Sequence, residues 1–483
     1  MPNRLPDGGN RPTSGRRPGQ PAGARRTAGH DRWRRPMWRR GADRLHHPAQ
    51  VIAGGFAAAV LIGTALLMLP VATRDGTSPP LVDAAFTATS AVCVTGLVVV
   101  DTAGYWSTFG QLVILGLIQV GGLGIMTLAT LLTVLLSRRL GLRARFLAQA
   151  ETKALSVRDV RRVVRNIVLF SLVVEAAVAV VLTARFALGY DYAWGRAAYH
   201  GIFHAVSAFN NAGFALYADS LIGFVADPWI MITIAVAVIV GGLGFPVVFE
   251  LLRSWREPRC WSVLTRITVV LTVSLLVLGT VVFTLVELRN PATFGPLSAP
   301  EKLLAGFFAS VMTRTAGFNS VDIAGMRPES LLLSDILMFI GGGSAGTAGG
   351  VKVTTVGLLA FVLWAEMRGE TQVNVGARRV PAGNQRQALA VLLLALGAVA
   401  VATFALLAMT RYTLDQVLFE VVSAFATVGL STGITAGLPP AADLLLIGLM
   451  FMGRIGPLTV ASALALRERS RRYELPEERI IVG

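Results

Sequence analysis

Ser423-Ala-Phe-Ala-Thr-Val-Gly-Leu430 is one of four related octets in this chain, and their spacing decides how the rest is read. The others are Ser90-Ala-Val-Cys-Val-Thr-Gly-Leu97, Ser207-Ala-Phe-Asn-Asn-Ala-Gly-Phe214 and Val311-Met-Thr-Arg-Thr-Ala-Gly-Phe318. A second glycine cluster follows each octet, at Gly121, Gly241, Gly341 and Gly453. A single Gly among apolar residues is unremarkable, but four octets in register describe a chain of four structural repeats.

Each octet sits in apolar surroundings. Of the 483 residues 54% are hydrophobic and 15% charged, with a mean hydropathy of +0.62, whereas soluble proteins carry about 25% charged residues. The apolar residues fall in runs of about 20, enough to cross ~30 Å of hydrocarbon. These runs predict eight spans, at Val51 to Pro70, Thr108 to Leu136, Val163 to Thr183, Pro228 to Leu252, Ile267 to Leu288, Leu331 to Trp364, Ala388 to Met409 and Ala441 to Leu466. Between the two spans of each repeat lies a segment too short to cross: Leu81 to Val92, Arg196 to Phe209, Pro300 to Met312 and Thr413 to Phe425. Each begins near helix-start residues (Pro80 and Asp83, Trp194 and Gly195, Ser298 and Pro300, Thr413 and Asp415) and runs into an octet, as a re-entrant half-helix would.

A formal charge of +16 and a pI near 11.0 would suggest nucleic acid in a soluble protein. Here the basic residues lie in an arm and in alternate loops, which argues against it. Residues 1 to 48 hold twelve Arg and no Lys and lack apolar periodicity, so a disordered basic arm attracted to anionic lipid is expected. Loops after the second, fourth and sixth spans carry Arg138, Arg139, Arg143, Arg145, Lys153, Arg158, Arg161, Arg162, Arg253, Arg256, Arg259, Arg368, Arg378 and Arg379. The remaining loops contain Asp75, Asp101, Asp219, Asp227, Asp322 and Asp335. This bias places both termini of a multi-pass cell-membrane protein in the cytoplasm. Cys93 and Cys260 imply neither a disulfide framework nor a metal cluster.

Irregular backbone at membrane depth survives only where protein or a water-filled cavity covers it. Four such loops are best placed around one axis, where they form a pore. Glycine lets carbonyl oxygens turn inward, and a ring of carbonyls can replace the hydration shell of a cation. The half-helices would aim their partly negative C-terminal ends at the same point.

Thr427-Val428-Gly429 resembles the potassium-channel filter consensus TVGYG through its first glycine, and the four-repeat plan resembles the Trk/Ktr/HKT superfamily of potassium transporters. Phe209-Asn-Asn-Ala-Gly-Phe214, Arg314-Thr-Ala-Gly-Phe-Asn319 and Gly341-Gly-Gly-Ser-Ala-Gly-Thr-Ala-Gly-Gly350-Val-Lys352 resemble it too. Eight spans look more like the Ktr membrane subunit than the longer Trk one. The resemblance implies an all-α membrane protein with four pseudo-symmetric helix, half-helix, filter-loop, helix repeats around a central ion pore, taking up potassium under the membrane potential.

Its filter would be Val94, Thr95, Gly96 and Leu97; Asn211, Ala212, Gly213 and Phe214; Thr315, Ala316, Gly317 and Phe318; and Thr427, Val428, Gly429 and Leu430. Val94 departs from the consensus Thr, while all four glycines, associated in this family with potassium over sodium, are present. The resemblance further implies a homodimer, a separate cytosolic ring of nucleotide-binding regulatory subunits sensing ATP, ADP or NAD, K⁺ as the transported ion, Na⁺ as a candidate activator and no covalent cofactor. Repeats are expected at 49–145, 146–262, 263–380 and 381–470, with a cytoplasmic tail at 471–483.

Glycines in a helix interior cost about 1 kcal/mol each relative to Ala, so the run Gly341, Gly342, Gly343, Ser344, Gly346, Gly349, Gly350 should break the sixth span. The resemblance makes it a gate loop under the filter, with Lys352 beside it. A Walker loop fails because Lys352 follows Val351 rather than Gly. Arg454, inside the last span, should face a wet cavity or snorkel to an interface, and the resemblance makes it a pore-lining cation.

Glu175 and Glu420 are intramembrane carboxylates: Glu175 could pair with a base or couple protons, and Glu420 is expected to bond loop amides behind the filter. His200 and His204 could share a metal at i, i+4 spacing but are read as ordinary half-helix residues. No cluster has catalytic spacing, so the chain is not read as an enzyme. The alternative reading is an alternating-access carrier for a small solute coupled to an ion, although such folds usually show two inverted repeats.

Overall fold

In the computed structural model, residues 48–139, 157–370, 372–375 and 378–456 are described. The basic arm, most of the loop after the second span and the tail lie outside the described residues.

Helix α1 (Pro48–Leu67) leads into the half-helix α2 (Leu81–Cys93) and α3 (Thr108–Arg139), completing one repeat. The second repeat is α4 (Val157–Gly189), half-helix α5 (Trp194–Phe209), α6 (Pro228–Leu243) and α7 (Phe245–Ser254). The third is α8 (Val263–Glu287), half-helix α9 (Ala299–Met312), α10 (Pro328–Phe339) and α11 (Val353–Met367). The fourth is α12 (Ala382–Met409), half-helix α13 (Leu414–Ala426) and α14 (Pro440–Ile455). A two-stranded hairpin, Asn374–Val375 with Arg378–Arg379, is a small exception to the all-helical expectation.

Three described helices, Arg162–Gly189, Val263–Glu287 and Ala382–Met409, are each long and apolar enough to cross a membrane. The 20 residues of α1 just reach the length that ~30 Å requires, and the 32 of α3 exceed it. Two expected spans differ in form. Pro228 to Leu252 is not one helix but turns by 103° between α6 and α7, where Gly244 has a φ of +92°. Leu331 to Trp364 is broken between α10 and α11, as its glycines require. Outward faces carry Leu61, Leu188, Val401 and Phe404, each at least 70% exposed, which suits a hydrocarbon surround. Asp335, expected in a loop, is buried within α10.

The half-helices match their expected limits within two residues because their ends are chemically marked. Ser298 and Thr413 open α9 and α13 with capping boxes, Glu301 accepting from the Ser298 N–H at 2.7 Å and Gln416 from the Thr413 N–H at 3.2 Å. At the far end of α8, the buried Glu287 carboxylate accepts from the Arg327 N–H at 2.9 Å and Ser330 Oγ at 2.5 Å, capping α10.

Each repeat packs the helix that follows its half-helix on the next repeat's half-helix, α3 on α5, α6 on α9, α10 on α13, and α14 back on α2, so the four close into a ring. Within repeats, half-helices approach their preceding span at small residues: Gly201 lies against Ala179 and Thr183, and Gly306 against Thr280 and Thr284. A Cβ at Gly306 would lie 3.1 Å from the Thr280 carbonyl oxygen. Gly306→Leu is therefore expected to cost about 1 to 3 kcal/mol and to lower the thermal unfolding midpoint in detergent; an unchanged midpoint would show that this approach is not tight.

Candidate ion-conduction site

All four octets end their half-helix in the same strained way. Val94, Asn211, Thr315 and Thr427, each two residues before its loop glycine, have φ of 56°, 58°, 71° and 52°, a left-handed conformation that costs a non-glycine residue roughly 1 to 2 kcal/mol. In three repeats the turn is closed by paired bonds, Thr95 N–H to Ser90 O at 2.7 Å, Ala212 N–H to Ser207 O at 2.7 Å and Val428 N–H to Ser423 O at 2.9 Å. Serine hydroxyls add a brace: Ser90 Oγ accepts from Gly96 N–H at 3.0 Å, Ser423 Oγ accepts from Gly429 N–H at 3.1 Å, and Ser207 Oγ donates to Phe214 O at 2.8 Å. Val311 replaces this serine in the third repeat, where Gly317 N–H reaches Met312 O at 3.3 Å instead.

The glycines meet in order around an axis. Gly96 lies against the Ala212 carbonyl, Gly213 against that of Ala316, Gly317 against that of Val428, and Gly429 against that of Thr95. All four glycines have positive φ, 88°, 71°, 73° and 94°, so a side chain here would be strained and would also collide with the neighbouring loop. Among the described residues, no carbonyl of Val94–Gly96, Asn211–Gly213, Thr315–Gly317 or Thr427–Gly429 accepts a hydrogen bond. More than nine in ten buried backbone groups are paired in proteins, so this concentration of unpaired acceptors marks a site for a positive ligand. The hydroxyls of Thr95, Thr315 and Thr427 are likewise buried and unpartnered. Leu97, Phe214, Phe318 and Leu430 instead pack into the surrounding cores and anchor the loops.

On one side the glycine ring opens into a vestibule of about 430 Å³, bordered by Asp101, Asp219 and Asp322. On the other side lies the segment Gly341–Gly350. Its base is closed by Gly341 N–H to Val351 O at 2.9 Å and Val351 N–H to Phe339 O at 3.3 Å. Gly343 N–H donates to Gly242 O at 2.8 Å and Thr347 N–H to Gly241 O at 3.1 Å, which lean the segment on the end of α6. Ser344 and Thr354 hydroxyls bond at 2.8 Å. Thr347 Oγ1 donates to Asn211 Oδ1 at 2.8 Å, and Gly349 packs against Ala426 and Thr427, so the segment touches the second and fourth filter loops directly.

Two buried arginines and the half-buried Lys352 hold it. Arg454, 4% exposed, donates through Nη1 to Thr347 O and through Nη2 to Gly121 O at 3.1 Å. Lys352 Nζ donates to Ala348 O. Arg314 donates to Gly341 O and Thr272 O, both at 3.2 Å. All three bond backbone carbonyls, and among the described residues none pairs with a carboxylate. Arg454 is therefore not an arginine snorkelling to an interface.

Arg314 was not singled out from sequence, although an arginine in an apolar loop end carries the same signal as Arg454. Gln119 and Asn210 were missed as well, since isolated amides carry no pattern. They explain Glu175, which has no basic partner among the described residues: its carboxylate accepts from Gln119 Nε2 at 3.0 and 3.1 Å and from Asn210 Nδ2 at 3.1 Å, directly behind the second loop. Glu420 accepts from the Ser431 hydroxyl at 2.8 Å and the Thr435 hydroxyl rather than from loop amides. His204 receives the Leu216 N–H at 3.3 Å and bonds His200 O at 2.8 Å. Both rings stack within an aromatic group that includes Tyr217, and no metal-holding cluster occurs among the described residues.

Comparison with known proteins agrees with this geometry. Residues 29–474 match the family model described as TrkH, cation transport protein. The chain is 40% identical over 437 residues to the Ktr system potassium uptake protein B of Bacillus subtilis (strain 168), covering 90% of this chain and 97% of that protein. It is 35% identical over 442 residues to the potassium/sodium uptake protein NtpJ of Enterococcus hirae, covering 90% and 97%. The crystal structure of the potassium transporter TrkH from Vibrio parahaemolyticus shares the fold, with a TM-score of 0.68, 20% identity and 85% coverage of each chain. The four-loop helical chain belongs to the TrkH family of cation transport proteins, within the Trk/Ktr group, and is not an enzyme.

Proposed function

We propose that this chain is the membrane subunit of a potassium uptake system, passing dehydrated K⁺ inward through the ring formed by its four octets. One observation carries the reading: among the described residues the backbone carbonyls of Val94–Gly96, Asn211–Gly213, Thr315–Gly317 and Thr427–Gly429 accept no hydrogen bond, and those of Thr95, Ala212, Ala316 and Val428 lie in turn against the glycine of the neighbouring loop. Carbonyl oxygens so placed replace the water lost by a cation. The braces and caps fix the loops through protein contacts, so little of the ion's binding energy goes into ordering them. The membrane potential supplies about 2.3 kcal/mol per charge per 100 mV, and both termini lie inside.

The segment Gly341–Gly350 with Arg454 and Lys352 is the gate. It lies against two of the four loops, and its buried positive charges repel a cation leaving the filter until the segment moves. Charge-assisted bonds contribute about 1.5 to 3 kcal/mol each, so the two donated by Arg454 hold the closed arrangement. The B-subunit relatives support partnership with further Ktr components, which we read as a homodimer with a cytosolic nucleotide-binding ring. Na⁺ is a candidate activator, and the basic residues of 1–48 are attracted to anionic lipid.

Gly429→Ser is expected to lower the K⁺/Na⁺ flux ratio in proteoliposomes, because the new side chain is strained at φ +94° and meets the Thr95 carbonyl. Equal ratios in mutant and parent would contradict the filter. Arg454→Ala, or deletion of residues 343–348, is expected to raise K⁺ flux about tenfold, a barrier change near 1.4 kcal/mol; unchanged flux through folded protein would remove the gate assignment.

A further inference from the structure

α7 was expected to be the end of a transmembrane span, and its actual placement gives it a separate role. The 16 residues of α6 carry the chain about 24 Å from the vestibule side, past the contact of Gly241 with the end of half-helix α5. The 103° turn at Gly244 then sets α7 close to the membrane plane. Its inner face, Phe245, Val247 and Val248, is buried. Its outer face shows Phe249, Leu252 and Arg253, all exposed, and just past its end Trp255 is 64% exposed with the exposed Arg256 stacked on it at 4.8 Å.

The charge on this face is uncompensated. Arg253, Arg256, Arg259 and Arg266 are all exposed, and among the described residues none is in an ion pair. Of the two nearby acids, Glu250 is occupied, accepting from Ser262 Oγ at 2.7 Å and Thr265 Oγ1 at 2.6 Å. That leaves Glu257 against four arginines. An apolar, tryptophan-bearing helix face edged by arginine is the pattern of a helix seated in a headgroup layer.

We propose that α7 binds anionic phospholipid headgroups and that this contact is transmitted to the gate, an inference that rests on the gating reading above. The mechanical link is short. Gly244 lies against the Ser344 carbonyl, Phe245 N–H donates to Ala345 O at 3.4 Å, and Gly343 N–H bonds Gly242 O at 2.8 Å. Tilting α7 out of the plane pulls on residues 343–345. Headgroups that hold α7 down therefore hold the closed segment in place, and anionic lipid lowers flux. Attraction is about 1 kcal/mol per basic residue at an anionic surface.

The test uses the full chain reconstituted in phosphatidylcholine with or without phosphatidylglycerol. Trp255 contact is read as the quenching by brominated lipid that is lost in Trp255→Phe. Brominated phosphatidylglycerol is expected to quench it more strongly than brominated phosphatidylcholine, with the preference lost in R253Q/R256Q/R259Q. Equal quenching by both lipids overturns the site and leaves this face to a soluble acidic partner. K⁺ flux is expected to fall at least threefold on adding phosphatidylglycerol, and the triple variant should abolish that response. Selective quenching without any flux response overturns the link to the gate. Deletion of residues 343–348 separates the two readings: if it leaves flux unchanged the gate assignment has failed, whereas the quenching result stands or falls alone.

Discussion

A backbone carbonyl buried at membrane depth without a hydrogen-bond donor is expensive, and this fold places such groups from four loops around one axis. Everything nearby serves to keep them there. Half-helices deliver each loop to the centre, left-handed residues at Val94, Asn211, Thr315 and Thr427 reverse the chain, and three serines brace the turns. Glycine at 96, 213, 317 and 429 is the sole residue that fits between one loop and the next. A ligand that satisfies those oxygens must be cationic and stripped of water, which is why local geometry and family membership lead to the same chemistry.

The opposite problem is solved beneath the ring. Arg314 and Arg454 are buried and Lys352 half-buried, and their charge is met by carbonyls of the broken third-repeat helix and its neighbours. Those carbonyls are free because Gly341–Gly350 does not continue as a helix, so the break and the arginines explain each other. The third repeat is thus the asymmetric one: it lacks the serine brace, carries Arg314 at its loop and supplies the broken segment Gly341–Gly350. In the proposed reading, pseudo-symmetry makes the filter and departure from it makes the gate.

Much of this was legible in the amino-acid order. Four octets at a regular spacing require four repeats, capping residues such as Ser298 and Thr413 mark the half-helices, and a glycine run inside an apolar span predicts the break. Other features were not legible. Gly244 resembles any membrane-helix glycine, and the 103° turn depends on its contact with Ser344, 100 positions away. Glu175 could be identified as buried but not given its partners, because Gln119 and Asn210 come from two other helices. Arg314 was hidden within a motif valued for its glycine.

The most direct measurement is ion flux into vesicles containing this chain alone, comparing K⁺, Rb⁺ and Na⁺ under one imposed membrane potential. The carbonyl ring is sized by backbone rather than by a charged side chain, so K⁺ and Rb⁺ should pass at similar rates and far faster than Na⁺. Na⁺ crossing as fast as K⁺ would contradict the assignment of the four octets as a selective filter.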